Sequence, residues 1–347
     1  MPRILIVAPS WIGDALLAQP LLRRLHDKLG HVSLDALAPA WCGPLLERMP
    51  EIEEVIASPF AHGELKLRAR WKLGRELAQR KYDQAIVLPN SFKSALIPFF
   101  ANIPLRAGYA GESRYGLLNL VHKLDRKKLP LMAERYAQLA EKPGTELPLP
   151  LPTVRLQVDP VNTARTTARL SLDRSRPIAA FCPGAEYGPA KRWPAQHFAA
   201  LASELGKRGY AVWLIGSGKD ADLAEEIRAQ SGAVCANLCG KTDLASAVDL
   251  IACARLVVSN DSGLMHVAAA LGKPLIALYG SSSPAHTPPL SLASQPGSAR
   301  IVNIDIECSP CFARSCPLGH FKCMNELAPA RVLAEIDALS APAHTGD

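Results

Sequence analysis

Leu256-Val257-Val258-Ser259-Asn260-Asp261-Ser262-Gly263-Leu264-Met265-His266-Val267-Ala268-Ala269-Ala270-Leu271 passes from an apolar run through a polar turn into a second apolar run. The pattern predicts a strand over 255–259, a tight turn, and a helix over 265–271. Such a turn aims free backbone N–H groups and the positive end of a helix dipole at one point, where a phosphate can sit. Asp261 adds a hydrogen-bond acceptor there and His266 a titratable group. The stretch therefore points to a phosphorylated, hydroxyl-rich ligand of the nucleotide-sugar type.

Outward from this stretch the same alternation repeats. Strands are expected over 178–182, 211–216 and 274–279, and helices over 195–208, 221–230 and 244–253. The first half reads likewise, with strands over 4–8, 32–38, 55–57 and 84–88. Helices are expected there over 15–29, 44–49, 65–80 and 94–100. Between the halves, 142–158 carries Pro143, Gly144, Pro148, Pro150 and Pro152 and reads as a linker. The expectation is an α/β chain of two doubly wound domains, 1–158 and 159–328, facing each other across a cleft. A helix within the last segment, 329–347, with apolar residues at Val332, Leu333, Ile336 and Leu339, is expected to pack back on the N-terminal domain. No internal repeat is visible.

Composition agrees with two globular domains: 347 residues, 48% hydrophobic and 20% charged. No apolar run reaches the length of a membrane span. The apolar run at 4–8 stops at Pro9, as a first strand would and a signal peptide would not, so a cytoplasmic protein is expected. The net charge of +7 gathers at Lys66, Arg68, Arg70, Lys72 and Arg75, and again at Arg106, Arg114, Lys123, Arg126, Lys127 and Lys128. No helix-turn-helix, zinc-finger or RNA-stacking pattern accompanies it, so no nucleic acid is expected as partner. A phosphorylated substrate, an anionic membrane surface or plain solvated helix faces each account for the bias.

Four further motifs bear on chemistry. Pro9-Ser10-Trp11-Ile12-Gly13-Asp14 follows the first strand, and a carboxylate there can act as a general base or simply favour a helix start. Gly184-Ala185-Glu186-Tyr187-Gly188-Pro189-Ala190-Lys191-Arg192-Trp193-Pro194 combines glycines, which admit a phosphate closely, with cations that neutralise it. Gly216-Ser217-Gly218-Lys219-Asp220 is another strand-to-helix turn. Its Asp220-Ala221-Asp222 imitates a metal-binding Asp-x-Asp motif, but acidic residues are ordinary in a first helical turn and no divalent metal is expected there. Finally, Cys308-x2-Cys311-x4-Cys316-x6-Cys323 offers four soft ligands for a structural zinc ion, at a spacing unlike a standard finger. Free thiols are the alternative.

Several of these segments together resemble a known family: 10–14, 89–100 (Pro-Asn-Ser-Phe-Lys-Ser-Ala-Leu-Ile-Pro-Phe-Phe), 114–119 (Arg-Tyr-Gly-Leu-Leu-Asn), 182–194 and 260–266. They look like the type II ADP-heptose:lipopolysaccharide heptosyltransferases of glycosyltransferase family 9. The resemblance runs from the N-terminus to about residue 289 and implies the GT-B fold, two Rossmann-like domains facing a cleft. It implies inverting transfer, without metal or other cofactor, of L-glycero-D-manno-heptose from ADP-heptose to the first heptose of heptosyl-Kdo2-lipid A, the alternative being another GT-B heptosyltransferase, of type I or III, or a nucleotide-sugar enzyme. By the same resemblance Asp14 is the general base, and Gly184, Lys191, Lys219, Asp261, Ser262, Gly263 and His266 belong to the donor site. Lys66, Arg68, Arg70, Lys93, Arg106 and Arg114 become candidates for acceptor phosphates and carboxylates. A lipid-anchored acceptor further implies peripheral contact with the cytoplasmic face of the inner membrane.

Overall fold

The computed structural model describes residues 1–61, 63–232, 234–290 and 298–340. The chain forms two compact units, Met1–Val154 and Arg155–Asp347.

In the first unit, β1 (Arg3–Val7), β2 (Ser33–Pro39), β3 (Glu54–Ser58), β4 (Gln84–Val87), β5 (Leu105–Tyr109) and β6 (Leu120–His122) form a parallel sheet in the order β3-β2-β1-β4-β5-β6. β1 reads Arg-Ile-Leu-Ile-Val and is buried on both faces from Ile4 onward, as a central parallel strand covered by helices requires. Leu5, Val7, Leu37 and Val87 pack with Ala95 and Ile97 of the helix Phe92–Phe100 and with Leu77. The single helix expected over 15–29 is two, Ile12–Leu17 and Gln19–Leu29. Pro20 stands in the first turn of the second, where its missing N–H costs nothing, whereas inside one long helix it would remove a bond.

The second unit repeats the plan with β7 (Ile178–Cys182), β8 (Ala211–Leu214), β9 (Cys235–Asn237), β10 (Leu256–Asn260), β11 (Leu275–Leu278) and β12 (Ala299–Val302). Its parallel order is β12-β11-β10-β7-β8-β9. Counted from β9, the strands run third, second, first, fourth, fifth, sixth, which is the order of the first unit. The units thus share a topology that no sequence repeat announces. In each, the strand order reverses between the first and fourth strands, β1 and β4 or β7 and β10. Ligands of doubly wound sheets bind beyond the carboxyl ends at that reversal.

The chain over 142–158 forms neither helix nor strand. The units divide at 154/155, four residues before the expected boundary, because the following residues are fastened to the second unit. Leu156 N–H donates to Ala270 O at 3.3 Å and Asp159 N–H to Asp249 Oδ1 at 2.9 Å. The C-terminal helix Pro329–Ser340 corrects another expectation. Val332 and Ile336 are buried in the core of the second unit with Phe198 and Leu205, and Arg208 pairs with Asp337 at 2.5 Å. Its apolar face is therefore committed within the second unit rather than to the N-terminal domain; the rest of that expected segment, 341–347, lies outside the described residues. Among the described residues, no helix is long and apolar enough to cross a membrane.

Candidate functional site

At the reversal point of the second unit, β10 ends at Asn260 and the helix Gly263–Ala270 starts three residues later. Ser262 is its N-cap, with extended backbone and no side chain capping the helix; Met265 N–H turns back to Ser262 O at 3.2 Å, and the helix start faces the site without a side-chain cap. Asp261 is buried. Its Oδ2 accepts from Lys191 Nζ at 2.5 Å and from Ser282 Oγ at 2.5 Å. Lys191 comes from the short turn Pro189–Lys191 after β7, and Ser282 from the loop after β11. Three loops at neighbouring strand ends thus meet on one carboxylate oxygen.

The loop after β7 is held by a buried amide. Asn260 Oδ1 accepts from Trp193 N–H at 3.1 Å, and Asn260 Nδ2 donates to Pro183 O at 2.7 Å. Both ends of the loop that carries Lys191 are therefore tied to the strand end that carries Asp261. Trp193, fully buried, adds an anchor by donating its indole N–H to Leu327 O at 2.8 Å. His266 lies under the turn, 6% exposed. Burial, assisted by the charge of Lys191 and opposed by that of Asp261, brings its imidazole down to about 4. It is neutral at pH 7 and contributes hydrogen-bonding capacity, not charge.

Two predicted donor residues have other duties. A Cβ on Gly184 would fall 2.5 Å from the Asp220 carboxylate, so this glycine admits a side chain of its own protein. Asp220 in turn accepts from the N–H and Oγ of Ser217, closing the turn. Lys219 is exposed and pairs with Glu186 at 2.5 Å. Neither is brought to the Asp261–Lys191–Ser282 cluster by any of these bonds. Ser282 and Asn260 were missed as site residues. Gly280-Ser281-Ser282-Ser283, directly after a predicted strand, was the available signal for Ser282.

In the first unit, a cavity of about 800 Å³ opens beyond β1 and β4, lined among others by Trp11, Asp14, Asn90, Lys93, Arg135 and Tyr136. Asp14 stands in the first turn of the helix Ile12–Leu17, so it is both a helix-start carboxylate and a cavity residue. Burial and then the charge of Asp14 push the Tyr136 phenol well up, which keeps it a neutral hydrogen-bonding neighbour. Arg126 also lines the cavity. Burial, and then its charge, lowers the pKa of Arg135, so two like charges share this wall. Neither arginine was singled out from the sequence as a site residue, because nothing in 126–135 distinguishes a cavity wall from a solvated one.

The predicted acceptor cations divide sharply. Arg70 donates to the carbonyls of Leu65, Glu64 and Lys93 and lies over Phe60, 4.0 Å from its ring centre. Arg106 donates to Leu117 O and Ile103 O, both at 2.6 Å. Arg114, 3% exposed, donates to Pro89 O, Tyr109 O and Asn90 Oδ1. These three guanidinium groups are engaged with carbonyl oxygens of their own chain, while Arg70 also lines the cavity. Lys66 is exposed and pairs with Glu64 at 2.8 Å, and Arg68 is exposed on the helix Leu67–Leu77. Lys93 lines the cavity with no carboxylate partner among the described residues.

Cys308, Cys311, Cys316 and Cys323 are free thiols. Among the described residues, no three His, Cys, Asp or Glu side chains stand together so as to hold a metal ion. Cys323 is packed in the core beneath Gly280 and Cys311 is exposed, yet burial and then the charges of Cys311, Cys308 and Cys316 push the Cys323 thiol up, so the four cysteines of the zinc candidate are neighbours in the fold.

The chain is similar along most of its length to proteins of known family. The model of glycosyltransferase family 9 (heptosyltransferase) matches residues 70–322. Lipopolysaccharide heptosyltransferase 2 of Escherichia coli strain K12 is 48% identical over 346 residues, covering 97% of this chain and 98% of that protein. Lipooligosaccharide heptosyltransferase 2 of Haemophilus influenzae is 50% identical over 299 residues, covering 83% and 86%. The solved structure of the E. coli ADP-heptose LPS heptosyltransferase II superposes with a TM-score of 0.87 at 46% identity, covering 98% of each chain. With two Rossmann-like sheets and relatives matched along nearly its whole length, the chain belongs to glycosyltransferase family 9, the heptosyltransferases of the GT-B fold.

Proposed function

We propose that this enzyme transfers L-glycero-D-manno-heptose from ADP-L-glycero-D-manno-heptose to the first heptose of heptosyl-Kdo2-lipid A, with inversion and without a metal or other cofactor. The observation that carries this reading is the meeting of Lys191, Asp261 and Ser282 beside an uncapped helix start, in a chain that matches heptosyltransferases 2 end to end. Asp14 accepts the proton of the acceptor hydroxyl, whose oxygen forms the new bond to C1 of the heptose. The bond from C1 to the β-phosphate oxygen breaks, and ADP leaves with the electron pair. Lys191 and the N–H groups of Ser262 and Gly263 offset the charge that grows on that phosphate, and Asp261 fixes the ammonium in place. Lys93, with Arg126 and Arg135, answers to the anionic groups of the acceptor.

The reading extends to a peripheral contact with the cytoplasmic face of the inner membrane. The helix Leu67–Leu77 exposes Leu67 and Trp71 among Arg68, Lys72 and Arg75, the composition of an interfacial surface.

The test is transfer by the purified enzyme from ADP-heptose to acceptors carrying no, one or two heptoses. Turnover is expected with the one-heptose acceptor. Turnover confined to the heptose-free acceptor would refute the acceptor assignment. Asp14→Asn is expected to lower kcat by about 10²–10⁴ while donor affinity stays within a few-fold, and near-normal turnover would remove Asp14 as base.

A further inference from the structure

The cysteine-bearing segment after β12 has no part in the chemistry above, yet it is fastened to the donor loops at four points. Ser309 Oγ donates to Gly280 O at 2.7 Å, and Phe312 N–H to Ser281 O at 2.6 Å. On the other side, Tyr187 OH donates to Phe312 O at 2.8 Å, and Ala190 N–H to Arg314 O at 3.0 Å. The approach is close enough that a Cβ on Gly188 would fall 2.3 Å from Arg314 O. The segment is thus a strap that joins the loop after β11, which supplies Ser282, to the loop after β7, which supplies Lys191.

This docking fixes where the Arg314 guanidinium goes. It lies over Tyr187, 5.2 Å from the ring centre, and Lys191 Nζ stands at the same 5.2 Å from the same ring. The two cations are therefore no farther apart than twice that distance. The face of the ring attracts both cations, and since Lys191 is paired with Asp261, the Arg314 guanidinium is, among the described residues, the one of the two without a carboxylate.

The local charge count points the same way. Lys191 is matched one for one by Asp261, His266 is neutral at pH 7, and Lys219 is matched by Glu186. These two pairs leave no net positive charge and Arg192, next to Lys191 on the loop, adds one, whereas a diphosphate carries more than a single negative charge and gains more as the sugar departs. Arg314 has no carboxylate partner among the described residues.

We infer that Arg314, carried in by the strap, is a further cation of the donor site, binding the diphosphate together with Lys191 beside the Tyr187 ring. This rests on the proposed ADP-heptose reading. The strap then has a function: it delivers one guanidinium to the leaving group, and its cysteines lie in the chain that positions it.

The test compares full-length wild type, Arg314→Gln and Arg314→Lys for ADP binding across a range of salt concentrations, and for KM and kcat with ADP-heptose. Arg314→Gln is expected to weaken ADP about tenfold or more and to flatten the salt dependence. Its KM for ADP-heptose should rise, with the unfolding midpoint little changed. Arg314→Lys is expected to restore much of the affinity and the salt slope. Unchanged ADP affinity in Arg314→Gln overturns the inference, and so does a loss that keeps the wild-type salt slope, since that marks a displaced strap and not a lost charge. Failure of the wild type itself to bind ADP and ADP-heptose overturns the donor reading and the inference with it.

Discussion

Arg114 and Lys93 look alike in the sequence, as cations near a phosphate-bearing acceptor, and they do different work. Arg114 is buried, and its guanidinium closes the carbonyls of Pro89 and Tyr109 and the amide of Asn90. Arg114→Ala leaves those groups unpaired and opens a void. It is expected to lower the unfolding free energy in urea by about 2–4 kcal/mol, with a raised acceptor KM at unchanged stability as the contrary result. Counting charges cannot separate the two residues, because the distinction lies in which carbonyls the fold leaves unmatched. His266 has the same inward character and a pH signature. Its imidazole titrates near 4 when folded against 6.5 when free. Between these values the unfolded chain binds a proton that the folded chain refuses. The stability contribution is therefore complete above about pH 6.5 and is lost as pH falls toward 4, by on the order of 3 kcal/mol. Unfolding free energies measured between pH 7.5 and 5 are expected to fall more steeply for wild type than for His266→Gln. Parallel curves would dismiss the assignment.

At the scale of elements, the strand-turn-helix around Asp261 was legible because three signals agree: an apolar run, a cluster of turn formers, and a second apolar run. The helix Pro160–Arg169 was not, because its buried face is Asn162, Thr163, Thr166 and Thr167. Those side chains pack through hydrogen bonds, among them Asn162 Nδ2 to Asp249 Oδ2 at 2.6 Å, and no apolar stripe marks them. β6 and β9 span three residues each, too short for a period to show. The role of Asn260 was equally hidden. As the last residue of β10 it reads as turn chemistry, yet it ties both ends of a loop that begins 77 residues earlier. If the tie places Lys191, then Asn260→Leu and Lys191→Ala are not independent. Each alone is expected to weaken ADP binding about tenfold, and the double variant little more than either, a coupling of about 1 kcal/mol. Additive losses would reduce Asn260 to a stabilising residue.

Over the whole molecule, one strand order occurs in both units, and each candidate site falls where that order reverses. Alternating strands and helices revealed the doubly wound plan, but the repeated order could not be read from residues, since topology depends on connection geometry rather than on matching side chains. The surface is a second property of the whole chain. Of the net +7, a dense part lies on and beside the helix Leu67–Leu77. Arg70, Gly74 and Leu77 face inward, and Gly74 lies so close to Phe100 that a Cβ there would meet it at 2.5 Å. The outward face combines Leu67 at 50% and Trp71 at 55% exposure with Arg68, Lys72 and Arg75. A soluble helix gains nothing by exposing leucine and tryptophan together, whereas an anionic bilayer surface takes both the cations and the aromatic ring. Each cation near such a surface contributes about 1 kcal/mol, or roughly fivefold in partitioning. Arg68→Gln with Lys72→Gln is therefore expected to cut co-sedimentation of the full-length enzyme with phosphatidylglycerol vesicles by about 25-fold. Trp71 emission is expected to shift to shorter wavelength on binding, and added salt to weaken the binding. Equal sedimentation with neutral phosphatidylcholine vesicles, or a double variant that binds as wild type does, would place the contact elsewhere.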